Sequence, residues 1–284
     1  MTLSIVNNIQ ETSAQEIAFP SFEKKVIYDA QGNPIEGFSA ITNTETEKVN
    51  AIMSSRYTIF NHEEAYEIIE KAATNLCPEA KGDVNFYSND GFMKVSYLLP
   101  ESYNVEVGEG DSLRTRLVGY NSVDGSKSLT FHVDFERLVC ANGMVGFSRE
   151  FSFSRRHSKF IHEDTNNFDI AAQLEYAWKK VQENAAMLKN NAVDFDKGMS
   201  AIKAMVERKV FPKKMQTWIE EEWRRASSGA NSIAVENGAN LWTLYNSVTS
   251  AITHSTDTKG NQISDQQKEL YGRKINSMIL KLAA

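Results

Sequence analysis

Apolar residues recur at every second position through much of the first 160 residues, and at helical spacing beyond them. In the first part, two alternating runs at residues 24–30 and 35–42 flank a turn built from Gly32, Asn33 and Pro34. A third run, 48–60, reads as a strand ending at Phe60. Asn61 then stands where a cap belongs, ahead of a helix over 62–76 with Ala65, Ile68, Ile69 and Ala72 on one stripe and Pro78 closing it. Residues 83–88 and 92–99 form a hairpin around Asn89-Asp90-Gly91, and 112–120 and 128–139 form another around Asp124-Gly125. In the second of these, Leu129, Phe131, Val133 and Phe135 mark a core face. Arg137 falls where an apolar residue is due, and Leu138 and Cys140 take the opposite phase, which predicts a bulge or a bend at Glu136-Arg137. Asn142-Gly143 is expected to turn the chain back into a return strand over 144–156.

Helical periodicity takes over near residue 166, with segments at 168–190, 194–210, 212–226, 240–254 and 264–284. Pro212 suits a first helical position and Ser264 a cap. Residues 227–240 and 254–264 are polar and loop-like. Strands grouped ahead of helices predict an α+β protein: an N-terminal bent antiparallel sheet with at least one packed helix, followed by a helical C-terminal half. The expected divisions are an arm at 1–20, the sheet and helix at 21–160, and the helical region at 161–284.

Composition changes this picture little. The 284 residues are 41% hydrophobic, no apolar run approaches the ~20 residues of a membrane span, and the start lacks a secretory pattern. Two cysteines, Cys77 and Cys140, are too few for a disulfide framework. A cytoplasmic protein, in the cytoplasm of a host cell, is expected, with no membrane partner.

Catalytic chemistry finds no motif. Phosphate-loop, zincin and nucleophile-elbow patterns are absent from the sequence, so no cofactor and no metal is expected. Cys140 has no Cys-His partner motif and reads as a buried small hydrophobe. His157 and His162, with Glu163 and Asp164, have spacing that fits neither a helix face nor a zinc ribbon; a metal-dependent hydrolase built on them is the weakest reading. Along 240–254, Trp242, Asn246, Thr249 and Thr253 share a helix face that ends near His254. That stripe is either a site or a packed helix with its own hydrogen bonds.

Charge carries more information. The net charge is −6, yet residues 112–159 hold eight basic and four acidic side chains, a net +4, which leaves −10 for the remainder. Arg114 and Arg116 share a strand face with Tyr120, while Arg149 and Arg155 alternate with Phe151 and Phe153; Arg156 and Lys159 follow. Guanidinium groups beside aromatic rings are what a single-strand platform uses, cations for phosphates and π faces for bases. The predicted nucleic-acid site is therefore Arg114, Arg116, Tyr120, Arg149, Phe151, Arg155, Arg156 and Lys159. The competing reading makes the phenylalanines core and the arginines snorkelling strand ends. A smaller basic cluster, Arg208, Lys209, Lys213 and Lys214, lies between two helices.

Four blocks carry a resemblance: "LRTRLVGYNSVDGSKSLTFHVDFERLVCANGMV", the upstream "AIMSSRYTIFNHEEAYEII", "RRHSKFI", and "LWTLYNSVTSAITH". In this order they resemble the phage- and plasmid-borne family catalogued as domain of unknown function 932. The resemblance implies a mobile-element origin and carries over no catalytic residue. A bent sheet with a positive groove is also similar to phage and eukaryotic single-strand annealing proteins, which act as rings or filaments. The expected function is single-stranded DNA binding by a homo-oligomer, with strand-annealing recombination as the role it would serve. The alternative is an anti-defence or host-takeover protein that binds a host protein without catalysis, using its acidic remainder.

Overall fold

The structure is a computed structural model that describes residues 17–108, 111–137, 142–145, 152–157, 170–228, 239–254 and 265–283. It is α+β, with antiparallel sheets first and helices after. Strands β1 (Phe22–Lys25), β2 (Phe38–Asn43) and β3 (Val49–Ser54) form a small sheet in that order. Its inner face closes on Phe22, Ile41 and Val123. Strand β3 ends at Ser54 rather than Phe60, and the segment that follows turns at residues 55–56, packs Tyr57 against the small-sheet cluster and delivers Phe60 to the main core.

Helix α1 (His62–Leu76) comes next. Asn61 occupies the cap position, but its side chain makes no capping hydrogen bond. The helix is instead seated by its first residue: His62 is fully buried, and its Nε2–H donates to the Asp90 carbonyl at 2.8 Å.

The larger sheet holds β4 (Gly82–Tyr87), β5 (Phe92–Leu98), β6 (Val105–Gly108), β7 (Asp111–Ser122), β8 (Leu129–Arg137), β9 (Asn142–Val145) and β10 (Ser152–Arg155). Its path runs β10-β8-β7-β5-β4, with β6 beside the start of β7 and β9 beside the end of β8. Two sequence expectations are corrected here. The β7–β8 register runs unbroken from Leu113↔Arg137 to Tyr120↔Thr130, so no bulge sits at Glu136-Arg137. Asn142 and Gly143 are themselves paired strand residues, opposite Arg137 and Glu136, and so are not the turn. Leu138 and Cys140 lie outside the described residues.

One sheet face carries the helices. Ile69 of α1 packs directly on the β7 backbone at Gly119, where a Cβ would come within 2.5 Å of its side chain. Helix α2 (Ile170–Asn190) lies against β6 and α1. Of the remaining helices, α3 (Phe195–Glu207), α4 (Gln216–Ser227), α5 (Leu241–His254) and α6 (Asp265–Ala283), α4 and α6 pack on α5, α3 packs on α4, and α5 and α6 reach the sheet at β9. Pro212 precedes a short 3-10 turn, Lys213–Met215, rather than opening α4 directly. A single apolar core joins Phe131, Phe135 and Phe153 of the sheet to Val181, Trp223 and Ile279 of the helices. The change of sequence pattern near residue 160 is therefore not a break in the core.

Gly198 of α3 shows how tightly that core is fitted. Trp223 is fully buried, its Nε1–H donates to the Phe195 carbonyl at 3.1 Å, and a Cβ on Gly198 would stand 2.3 Å from its ring. Gly198→Ala is expected to cost about 1–3 kcal/mol through overpacking, read as a lower melting temperature in circular dichroism.

Candidate nucleic-acid interface

The structure divides the predicted site. Cα pairing sets Arg114 and Arg116 opposite Glu136 and Asp134, and sets Arg155 opposite Leu129. At ~3.3 Å per residue the two groups lie about 20 Å apart along the strands. They are not one patch. Arg116 is committed within the fold, because its guanidinium donates to the Asp134 carboxylate at 2.8 Å with only 9% of the Asp134 side chain exposed. Arg114 is half-buried on the same face. Arg149, Phe151 and Lys159 lie outside the described residues, as do His162, Glu163 and Asp164.

Tyr120 is also reassigned. Its ring is 4% exposed, tilted against Phe92 and stacked on His132 with centroids 5.7 Å apart. No base can reach it. Instead the Lys127 ammonium stands 4.8 Å from its centroid, and the Arg155 guanidinium stands 4.8 Å from the centroid of Phe153, itself buried against Phe131. The alternation of cation and ring that reads as a stacking platform is thus a set of cation–π supports: buried rings hold protein cations in place.

Those cations line a concave site of about 510 Å³ with Ser126, Lys127, Ser128, Thr130, Ser154, Arg155 and Arg273 around it. The β7–β8 loop is shaped to present Lys127. Asp124 accepts from the Ser126 amide at 2.9 Å, Gly125 takes a positive φ, and Ser122 Oγ bonds both the amide and the carbonyl of Lys127 at 2.9 Å. Thr130 Oγ1 donates to the Ser128 carbonyl and lies 3.1 Å from Ser154 Oγ across the β8–β10 pair. Arg273 arrives from α6. Three cations and four hydroxyls make up the described lining, and no carboxylate is among them. Such a set is chemically suited to holding an oxyanion, by charge and by donor. Arg156 is exposed one residue beyond Arg155.

Behind the same loop lies a buried polar cluster. The Asn121 amide donates to His62 Nδ1 at 3.0 Å and to the Phe60 carbonyl at 2.9 Å, which fixes the neutral Nε2–H tautomer of His62. Tyr57 Oη lies 2.8 Å from His157 Nδ1, within hydrogen-bond distance. Burial holds both imidazoles down to about 4, with His62 adding repulsion at His157. It raises Tyr57 to about 12, with the Asp124 carboxylate adding to the effect. Among the described residues, no group of three or more His, Cys, Asp or Glu is arranged to hold a metal ion.

The α5 stripe is a packed helix. Every residue from Leu241 to Ile252 is buried. Its polar side chains bond back one turn: Asn246 to the Trp242 carbonyl at 2.8 Å, Ser247 to Thr243 and Thr249 to Tyr245 at 2.9 Å each.

A model of the family described as Domain of unknown function (DUF932) matches residues 50–273. The chain belongs to that family. No curated protein and no solved structure matches it. Within this DUF932 chain the matched span begins at β3 and ends at Arg273, so every described residue lining the cationic site falls inside it. No described helix is long and apolar enough to cross a membrane.

Sequence reasoning found Arg155 and Arg156 but passed over Lys127 and Arg273 as site residues. The run Ser126-Lys127-Ser128 after Asp124-Gly125 was the available signal for the first. Arg273 had none, because only the tertiary path of α6 brings it to the sheet.

Two outcomes are expected. Arg116→Ala leaves the Asp134 carboxylate without its guanidinium and lowers stability by about 2 kcal/mol in urea unfolding, without the loss of salt sensitivity that a phosphate contact would show. Separately, His62 and His157 are neutral in the folded chain at pH values where an unfolded histidine, near pH ~6.5, takes a proton. The unfolded state then binds more protons, so stability falls as pH drops from about 6.5 toward 4. Urea midpoints at pH 7 and pH 5 measure this, and His62→Gln with His157→Gln flattens the difference.

Proposed function

We propose that this chain binds single-stranded DNA, taking its phosphates in the cationic site formed by Lys127, Arg155 and Arg273, as a phage- or plasmid-type protein of strand-annealing recombination. The observation that carries this reading is the composition of that site: three cations, two of them braced on buried rings, with Ser126, Ser128, Thr130 and Ser154 as hydroxyl partners. Bracing matters because a long cationic side chain loses rotamer freedom when it grips a ligand, and a chain already held loses less. The shape favours a single strand. A duplex is read by a convex element entering a groove, whereas a hollow of about 510 Å³ takes in a flexible backbone. The local charge supports it too, since residues 112–159 carry +4 in a chain of net −6. A homo-oligomer would align such sites along one strand, which is what annealing requires.

Fluorescence anisotropy with a labelled oligothymidine and its duplex, at two salt concentrations, tests the proposal. Salt-sensitive binding that favours the single strand is expected. Lys127→Ala, Arg155→Ala and Arg273→Ala should each weaken it and lower the log–log salt slope by about 1. An unchanged slope in all three variants removes this site from the reading. If the folded protein binds neither strand form, the alternative of a host-protein partner takes its place.

A further inference from the structure

The cationic site leaves a question for any strand lying in it. Its two described rings, Tyr120 and Phe153, are 4% and 3% exposed and already carry protein cations, so the bases need another surface. Helix α6 points to one. Arg273 faces the cationic site, while Tyr271, two residues earlier and so ~200° around the helix, lines a separate cleft of about 730 Å³. That cleft lies between α3, the 3-10 turn and α6. Phe211, Pro212, Val206 and Tyr271 give it an apolar and aromatic wall; Lys203, Lys209 and Lys213 surround it; Glu207 and Gln216 supply polar groups able to meet a base edge. Tyr271 is only half-buried, unlike Tyr120.

The α3 terminus adds a second observation. The Val210 amide bonds the Met205 carbonyl and the Lys209 amide bonds the Val206 carbonyl, both at 2.9 Å, the Schellman pattern that ends many helices. The residue at its left-handed position, φ 54°, is Lys209, where glycine is the usual choice. Lys274 of α6 donates to the Lys209 carbonyl at 3.3 Å, tying this turn to the helix that carries Tyr271 and Arg273. A lysine kept at a position that favours glycine trades backbone ease for a cation at the cleft mouth.

We propose that the α3–α6 cleft is a base-holding subsite, in which a nucleobase of the bound strand stacks on Tyr271 while the lysines take the adjoining phosphates. This rests on the single-strand reading above. α6 is then a ridge ~10–12 Å across, with phosphates held on one flank and a base on the other.

The test compares an oligothymidine with an abasic strand of equal length, binding to wild type, Tyr271→Ala, Tyr271→Phe and Lys209→Gly. Wild type should prefer the thymidine strand. Tyr271→Ala should lose about tenfold toward it, stay within twofold toward the abasic strand, and be rescued by Tyr271→Phe. Lys209→Gly should raise the melting temperature yet weaken binding of both strands, the opposite of what damage to the fold produces. Equal wild-type affinity for the two strands, or equal losses in Tyr271→Ala, overturns the base subsite and leaves the phosphate site standing. No binding of either strand overturns both.

Discussion

The pairing of β7 with β8 is the constraint on which the rest of this structure depends. Its unbroken register from Leu113↔Arg137 to Tyr120↔Thr130 sends Leu117, Phe131, Val133 and Phe135 to the helix-bearing face. The same register sends Arg116, Asp134, Tyr120 and His132 to the other. Because the side-chain period of a strand is two, a slip of one residue would exchange the two sets and bury the ion pair among phenylalanines. The flanking strands β5 and β10 inherit the register, and with it the places of Phe92 beside Tyr120 and of Ser154 beside Thr130.

That second face is not a conventional polar surface. Val118, Tyr120, Thr130, His132 and Asp134 on it are all nearly inaccessible. Burying a carboxylate demands a partner, and Arg116 provides it. Burying a ring leaves its π face free to hold a cation, and Lys127 occupies that of Tyr120. Where the face meets the β7–β8 loop and the end of β10, basic side chains gather. The site is therefore made at the margin of the sheet, by cations that lean on its interior, rather than across its breadth. In a chain of net −6 this margin is a local concentration of positive charge.

The helical half performs a related task with different means. α5 is buried on all sides although Thr243, Asn246, Ser247, Thr249 and Ser250 interrupt it. Short polar side chains suit such a helix because Asn246, Ser247 and Thr249 each donate to a carbonyl one turn earlier. α4, α2 and α6 can then close around it. The position of α6 follows from that closure, and so do the positions of Arg273 and Tyr271 on its two flanks.

The strands of the larger sheet other than β6, the helix over 62–76, the helices after 166 and the α+β order were legible because each is a local pattern of period two or 3.6. The family blocks were legible for the same reason, being runs of adjacent residues. Of the bulge or bend that the phase change at Arg137 predicts, the pairing excludes the bulge, because a change of phase in the side chains does not require a break in the ladder. What the sequence by itself determined is the elements, the family and the concentration of basic residues between 112 and 159. Tertiary structure alone decided which of those residues face solvent: it paired Arg116 with Asp134, buried Tyr120 beneath Lys127, and carried Arg273 to Arg155. Long-range burial and charge pairing depend on which segments meet in space, and alternation along one strand cannot specify its neighbours.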